Sequence, residues 1–117
     1  MRPLFGWLLL TISAVALAGD LSPVESRKIE YLIEAIDTLQ DAQFVRNGTS
    51  YDARAAADHL RLKLKRAGSR VATADDFIRL CASVSSASGT PYQIAFSDGR
   101  VMTSEAYLRE RLAEFER

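Results

Sequence analysis

Apolar residues recur at helical spacing in four parts of the chain, and each part opens with a residue that can cap a helix. In the first, Ser22 can cap, Pro23 suits the first helical turn and Glu25 can complete a capping box. The apolar positions of this part are Ile29, Leu32, Ile33, Ile36 and Leu39, with acidic residues on the opposite side. This pattern predicts a first helix that runs to about Phe44.

The second helical pattern is separated from the first by a turn. Asn47-Gly48 readily takes positive φ and interrupts the first pattern, and Thr49 or Ser50 can cap the second helix. A stripe of small and apolar residues predicts this helix over about residues 52–67, formed by Ala53, Ala56, Ala57, Leu60, Leu64 and Ala67. Gly68 is placed to end it. Because alanines let a neighbouring helix approach closely, we expect the first two helices to form an antiparallel pair.

A third helix is predicted to begin at Thr73 and to fray in a serine-rich stretch. Asp75 and Asp76 lie in its first turn, where acidic residues interact favourably with the helix dipole. The residues on its inner face are Phe77, Ile78, Cys81 and Val84. The hydroxyls of the serine-rich stretch fit a connector in which serines satisfy the last carbonyls of the helix and Gly89 adopts a turn conformation.

The last third of the chain predicts a β-hairpin followed by a final helix. Residues 92–96 alternate apolar and polar, residues 97–99 are typical of a turn, and residues 100–102 return as a second strand. Thr103 or Ser104 can cap the last helix, whose inner face is formed by Leu108, Leu112 and Phe115. The whole pattern predicts a small, mostly helical α+β domain with about four helices and one hairpin.

The N-terminus has the pattern of a signal peptide. Arg2 precedes an apolar run of about 15 residues that closes on Ala16-Leu17-Ala18, a small-x-small pattern typical of cleavage sites. The run is shorter than the roughly 20 residues that span a bilayer. We therefore expect residues 1–18 to be removed at about Ala18-Gly19, leaving residues 19–117 as one periplasmic or secreted domain without a membrane span. A retained membrane anchor is the alternative.

The charge balance argues against a nucleic-acid-binding protein, and the cysteine content argues against a disulfide-stabilised one. Acidic and basic residues are balanced at 15 each, and the only basic concentration is residues 61–66, which is smaller than nucleic-acid binding requires. Cys81 is the only cysteine, so no internal disulfide can form. We expect it to be buried in the third helix as a small apolar residue, with an intermolecular disulfide as the alternative.

Several segments together resemble a known family. They are "FVRNGTSY", "AAADHLRLKLK", "TADDFIRLCASVSSASGTPYQI" and a later "DG" followed by a helix with an aromatic residue and leucine. In order and spacing they resemble the YfeK-like family of small exported bacterial proteins, which carry a domain of unknown function. Tyr107 stands where this pattern would have a tryptophan. The resemblance implies a compartment and a fold, but no activity.

The candidate site residues are polar groups near the ends of the predicted helices. Arg46 offers a planar fork of donors to a carboxylate or phosphate, or alternatively bonds backbone carbonyls and stabilises the adjacent turn. His59 is the only histidine, and with so few potential ligands we expect no metal and no cofactor. The full set of candidate binding residues is Arg46, Asn47, Tyr51, His59, Arg61, Ser85, Ser86, Ser88 and Tyr92.

These observations favour a non-catalytic binding or interaction module of the bacterial envelope. Its expected partner is an envelope protein, a glycan or a small anionic ligand, and not nucleic acid. The alternative is a small hydrolase that uses Ser85 or Ser86 as nucleophile and His59 as base. The serine-rich stretch lacks the G-x-S-x-G elbow of many serine hydrolases, and this disfavours the enzyme.

Overall fold

The computed structural model of the protein describes residues 21–117, so the predicted leader and its cleavage point lie outside the described residues. The helices and strands follow one another in the order α1 (Pro23–Asp37), β1 (Ala42–Arg46), β2 (Thr49–Tyr51), α2 (Ala53–Ala67), a 3₁₀ turn (Gly68–Arg70), α3 (Ala74–Cys81), β3 (Gln93–Phe96), β4 (Val101–Thr103) and α4 (Ser104–Glu116). The predicted α+β class with four helices is confirmed. No helix in this part of the chain is long and apolar enough to cross a bilayer.

The four strands form one antiparallel sheet in the order β2-β1-β3-β4. In the two central strands Phe44 pairs with Ile94, and both side chains are buried on the face that the helices cover. Each outer strand has only three residues. The sheet therefore joins two local hairpins through one central pairing between segments that are distant in sequence.

The core forms where all four helices meet one face of this sheet. The largest fully buried side chains are Ile29, Leu32, Ile36, Val71, Phe77, Ile78, Cys81, Ile94 and Leu108. The predicted burial of Cys81 is confirmed. Helices α1 and α2 pack against each other, as the alanine stripe predicts, and Ala57 is completely buried.

The prediction that the first helix runs to about Phe44 is wrong. Helix α1 ends at Asp37 with Thr38 as its C-cap, and Asp41 then takes a positive φ of 56° before strand β1 begins. Phe44 does face the core, but from a strand. Phe44 lies eight residues after Ile36, a spacing that also fits one face of a helix, and the β1–β2 hairpin was not predicted.

The helix caps are partly as predicted. Thr73 forms a complete capping box with Asp76, and Gly68 ends α2 at a positive φ of 55°. Helix α2 is capped by Asp52, whose carboxylate accepts a hydrogen bond from the Ala55 N–H at 2.8 Å. The predicted caps at residues 49 and 50 are wrong, because both residues lie in strand β2.

At α1 the predicted capping box is only half formed. Ser22 accepts a hydrogen bond from the Glu25 backbone N–H at 3.2 Å. The Glu25 carboxylate instead accepts from the backbone N–H of Ala74 at 2.7 Å. Because Ala74 is the first residue of α3, this bond ties the beginning of one helix to the beginning of another.

The serine-rich stretch is a connector, as predicted. The Ser83 hydroxyl donates to the Ile78 carbonyl at 2.6 Å near the end of α3, and Gly89 has a positive φ of 75°. Val84 is exposed instead of buried, because the helix ends before it and it forms an isolated bridge with Pro91.

The predicted hairpin over residues 92–102 and the last helix are confirmed, with strand limits shifted by one residue. Thr103 caps α4 by accepting a hydrogen bond from the Ala106 N–H. On the predicted inner face Leu108 is completely buried and Leu112 is half-buried, whereas Phe115 is 40% exposed near the end of the helix.

Candidate functional site

A cavity of about 430 Å³ lies between helix α2 and the sheet. Its walls are mainly apolar, and the core residues Ile36, Phe44, Leu60 and Leu108 contribute to them. Four polar candidates from the sequence also line it: Arg46, Tyr51, His59 and Tyr92. An apolar cavity with a few convergent polar groups is the usual form of a small-molecule site.

Arg46 and Tyr51 form one side of the cavity from neighbouring strands. The Arg46 guanidinium donates to the Tyr51 hydroxyl at 2.9 Å and lies 5.1 Å from the centre of the tyrosine ring. The tight turn between β1 and β2 sets this geometry, because it folds the two strands back on each other. Arg46 thus contacts the side chain of Tyr51, whereas the alternative prediction was a bond to backbone carbonyls of the turn.

His59 and Tyr92 form the opposite side. His59 lies on α2 beside its buried stripe, and its Nε2 is 3.2 Å from the Tyr92 hydroxyl. The same hydroxyl accepts a hydrogen bond from Lys63 Nζ at 3.0 Å, so the phenolic proton is available for donation to a neutral His59. The backbone of Tyr92 is held from both directions, by the Ser83 carbonyl and the Ser104 N–H.

The electrostatic environment of His59 is positive. Burial lowers the pKa of His59, and the nearby charges of Arg46, Lys63 and Arg66 lower it further. The imidazole is therefore neutral at pH 7. A positive environment that disfavours imidazolium favours an anion in the same place.

A hydrogen-bonded bracket fastens the β1–β2 turn to the serine-rich connector. The Asn47 side-chain amide donates to Ser85 Oγ at 3.0 Å, and its carbonyl oxygen accepts from Ser88 Oγ. Asn47 itself has a positive φ of 51°. Because Arg46 and Tyr92 come from the two fastened segments, the bracket helps to set the width of the cavity.

Comparison with known proteins identifies a family for this fold and site. The model of a family of unknown function, DUF5329, matches residues 23–116. The chain belongs to the DUF5329 family. It is also 40% identical over 85 residues to the uncharacterized protein YfeK of Salmonella typhimurium, an alignment that covers 73% of this chain and 68% of that protein. The predicted YfeK-like resemblance is thus confirmed, and no solved structure gives a significant match.

The predicted site residues of this DUF5329 protein form two groups, and two further residues belong to neither. Those that line the cavity are Arg46, Tyr51, His59 and Tyr92, and those in the bracket are Asn47, Ser85 and Ser88. Ser86 is exposed on the connector. Arg61 is outside the cavity lining and forms ion pairs with Asp37 and Asp58, both at 3.0 Å.

Two features of the site were not predicted, Lys63 and the apolar walls. Lys63 lies one helical turn after His59, a spacing that places both on the same face of α2. That signal is present in the sequence, but it is hard to separate from the solvated charges around it. The apolar walls have no comparable signal, because Phe44 and Leu108 meet only through the tertiary fold.

The structure bears on the chemistry that this DUF5329 protein can perform. Among residues 21–117 no group of three or more His, Cys, Asp or Glu side chains is placed to hold a metal ion. No hydrogen bond joins His59 to Ser85 or Ser86 in the same range; His59 bonds Tyr92, and Ser85 accepts from Asn47. Neither serine lines the cavity.

Proposed function

We propose that the protein is an exported, non-catalytic binding module that takes up a small molecule in the cavity between α2 and the sheet. The observation that carries this proposal is the convergence of Arg46, Tyr51, His59 and Tyr92 on one apolar cavity of about 430 Å³. Ligand sites of small proteins have this size and this composition.

Among the expected partners, the cavity favours a small molecule over a glycan or a protein. A concave, mainly apolar cavity desolvates a compact ligand, whereas protein interfaces are broader and flatter. The exposed alanine at position 55 lies in the lining, so a ligand can enter beside α2.

Export is part of the proposal and is supported by the leader pattern of residues 1–18. The test is the mass and N-terminal sequence of the protein recovered from a periplasmic fraction. We expect the chain to begin at about Gly19. Recovery of a chain that begins at Met1, in a membrane or cytoplasmic fraction, contradicts export and leaves the cavity to be tested separately.

Binding is tested with the neutral fluorescent probe N-phenyl-1-naphthylamine. The sample is the protein as it is purified from bacterial cells, without further truncation. We expect saturable fluorescence enhancement that is lost in Ala55→Trp, because the indole fills the cavity. Ala113→Trp is the matched control, since Ala113 is an exposed helical alanine outside the lining. Equal binding by both variants and the wild type shows that the probe binds elsewhere and contradicts the cavity proposal.

The hydrolase remains the alternative, and no contact among residues 21–117 favours it. A serine-reactive fluorophosphonate tests it directly. We expect no covalent labelling of Ser85 or Ser86, because neither hydroxyl bonds the imidazole that would have to activate it. Labelling that disappears in His59→Ala overturns the non-catalytic proposal.

A further inference from the structure

We infer that the cavity binds an amphipathic organic anion, with the acid group at Arg46 and the apolar part against the wall of α2. The inference rests on the proposed cavity function and adds the chemical class of the ligand. It is carried by the position of one cation, by the charges around it and by the shape of the surrounding wall.

Arg46 is a half-buried cation that lacks a carboxylate partner among residues 21–117. The hydrogen bond it makes to a side chain goes to the neutral Tyr51 hydroxyl. The exposed Arg61, by contrast, contacts two carboxylates. A guanidinium has five N–H donors, so most of those on Arg46 remain available to a ligand. A carboxylate or sulfonate matches this planar fork of donors.

The other charges near the cavity also favour a negatively charged ligand. Asp58 is the acidic residue in the lining, and its carboxylate is exposed and already paired with Arg61. Lys63 lies behind Tyr92, with hydrogen bonds to the phenol and to the Val84 carbonyl. Burial is the main cause of the lowered pKa of His59, and the charges of Arg46, Lys63 and Arg66 add to it. An anion at Arg46 therefore meets no uncompensated negative charge.

The remaining wall fits an apolar body instead of a second charged group. Ala55, Ala56 and Leu62 line the α2 side of the cavity, and Leu62 is 43% exposed. Below them lie core side chains with no polar atoms, such as Phe44 and Leu108. A compact polyanion would leave this apolar wall exposed to solvent, whereas an acid with an aromatic or acyl group would bury it.

The test compares two probes that share one apolar body. N-phenyl-1-naphthylamine is neutral, and 8-anilino-1-naphthalenesulfonate carries the same rings with one sulfonate. We measure the dissociation constant of each probe for the wild type, Arg46→Gln and Arg27→Gln. Each protein is used as it is purified from bacterial cells. Arg27 is an exposed cation on α1 outside the lining, so its variant has the same change in net charge.

We expect Arg46→Gln to weaken sulfonate binding about tenfold or more relative to neutral-probe binding, the loss of one charge-assisted hydrogen bond. Arg27→Gln should leave the ratio of the two constants unchanged. Arg46→Lys keeps the cation and should retain most of the preference. A near-UV circular dichroism spectrum like that of the wild type shows that each variant is folded, since partly folded states lose this signal.

Each outcome separates the two proposals. If both probes bind in the cavity and the ratio is the same in wild type and Arg46→Gln, the anion inference is overturned while the cavity function stands. If Arg46→Gln and Arg27→Gln lower the ratio equally, the effect is net charge alone and the inference also fails. If neither probe responds to Ala55→Trp, the proposed function itself has failed.

Discussion

Removing the Asn47 side chain should destabilise the protein in two separable ways. Asn47→Gly removes both hydrogen bonds of the bracket but keeps a residue that accepts positive φ. Asn47→Ala removes the same bonds and also forces an alanine into the left-handed region. Ser85→Ala removes one partner of Asn47, together with the acceptor of the Ala87 N–H, and leaves the residue at position 47 unchanged. The three variants therefore distinguish the bracket from the turn.

The magnitudes can be worked from the geometry. Asn47 is exposed, so water competes for its two hydrogen bonds and we take the lower part of the usual range, about 0.5–1 kcal/mol for each. Asn47→Gly should thus lower the free energy of unfolding by about 1–2 kcal/mol. Asn47→Ala should lose about 1 kcal/mol more than Asn47→Gly, because alanine tolerates this left-handed φ less well than glycine or asparagine.

Urea unfolding followed by far-UV circular dichroism measures these differences, with an unchanged m value as the check on two-state behaviour. The Asn47→Gly, Ser85→Ala double variant should be less destabilised than the sum of the single changes, since both remove one shared bond. If Asn47→Ala is as stable as Asn47→Gly, the left-handed backbone does not constrain the turn. If the double variant is fully additive, the bond between Asn47 and Ser85 is not formed.

Three further predictions concern titration, capping and the cysteine. Because the pKa of His59 is lowered below its ordinary 6.5 in the folded protein, the unfolded chain takes up that proton first as the pH falls. The contribution of His59 to the free energy of unfolding should therefore be fully present above about pH 6.5 and decrease below it. His59→Gln should reduce the resulting pH dependence of Tm, measured by thermal unfolding between pH 7 and 5. Glu25→Ala should lower the free energy of unfolding by about 1–3 kcal/mol, since it leaves the buried Ala74 N–H without its acceptor, whereas Glu25→Gln keeps an acceptor and should cost less. Cys81 should react with a thiol reagent only after denaturation, because it is buried and burial raises the pKa of its thiol.

Each of these has a result that would contradict it. A pH slope that is the same in wild type and His59→Gln would place the responsible proton on another group. Equal stability of Glu25→Ala and the wild type would mean that water replaces the carboxylate at α3. Stoichiometric labelling of Cys81 in the native protein, or a covalent dimer on non-reducing gels, would favour the intermolecular disulfide that the sequence left open.

Three of the four helix caps in residues 21–117 were predictable because caps are local. Ser22, Thr73 and Thr103 each accept a hydrogen bond from a backbone N–H three residues ahead, so their role depends on neighbours in sequence alone. The β1 strand was missed although its signal was present. Asn47-Gly48 between alternating residues is the strongest short-range indicator of a hairpin, and it was interpreted only as a helix break.

The site was predictable in its polar members and not in its shape. Arg46, Tyr51, His59 and Tyr92 stood out as chemistry-bearing side chains near the ends of elements, and the structure brings them to one cavity. Which of the candidates would meet depended on the pairing of β1 with β3, a contact between distant segments that no local pattern specifies. Arg61 is different, because it lies two residues after His59 on α2 and helical spacing alone turns it away from His59.

The central pairing of β1 with β3 also constrains the order in which the parts of the protein can fold. Each hairpin closes over a few residues and can form within microseconds of its emergence. Their junction, however, needs a strand from the final third of the polypeptide, and Leu108 of α4 must arrive before the interior is closed to water. A chain that is synthesised from its N-terminus therefore cannot complete its core until synthesis is almost finished. During that interval the unpaired edges of its strands are accessible to chaperones and to other copies of the chain.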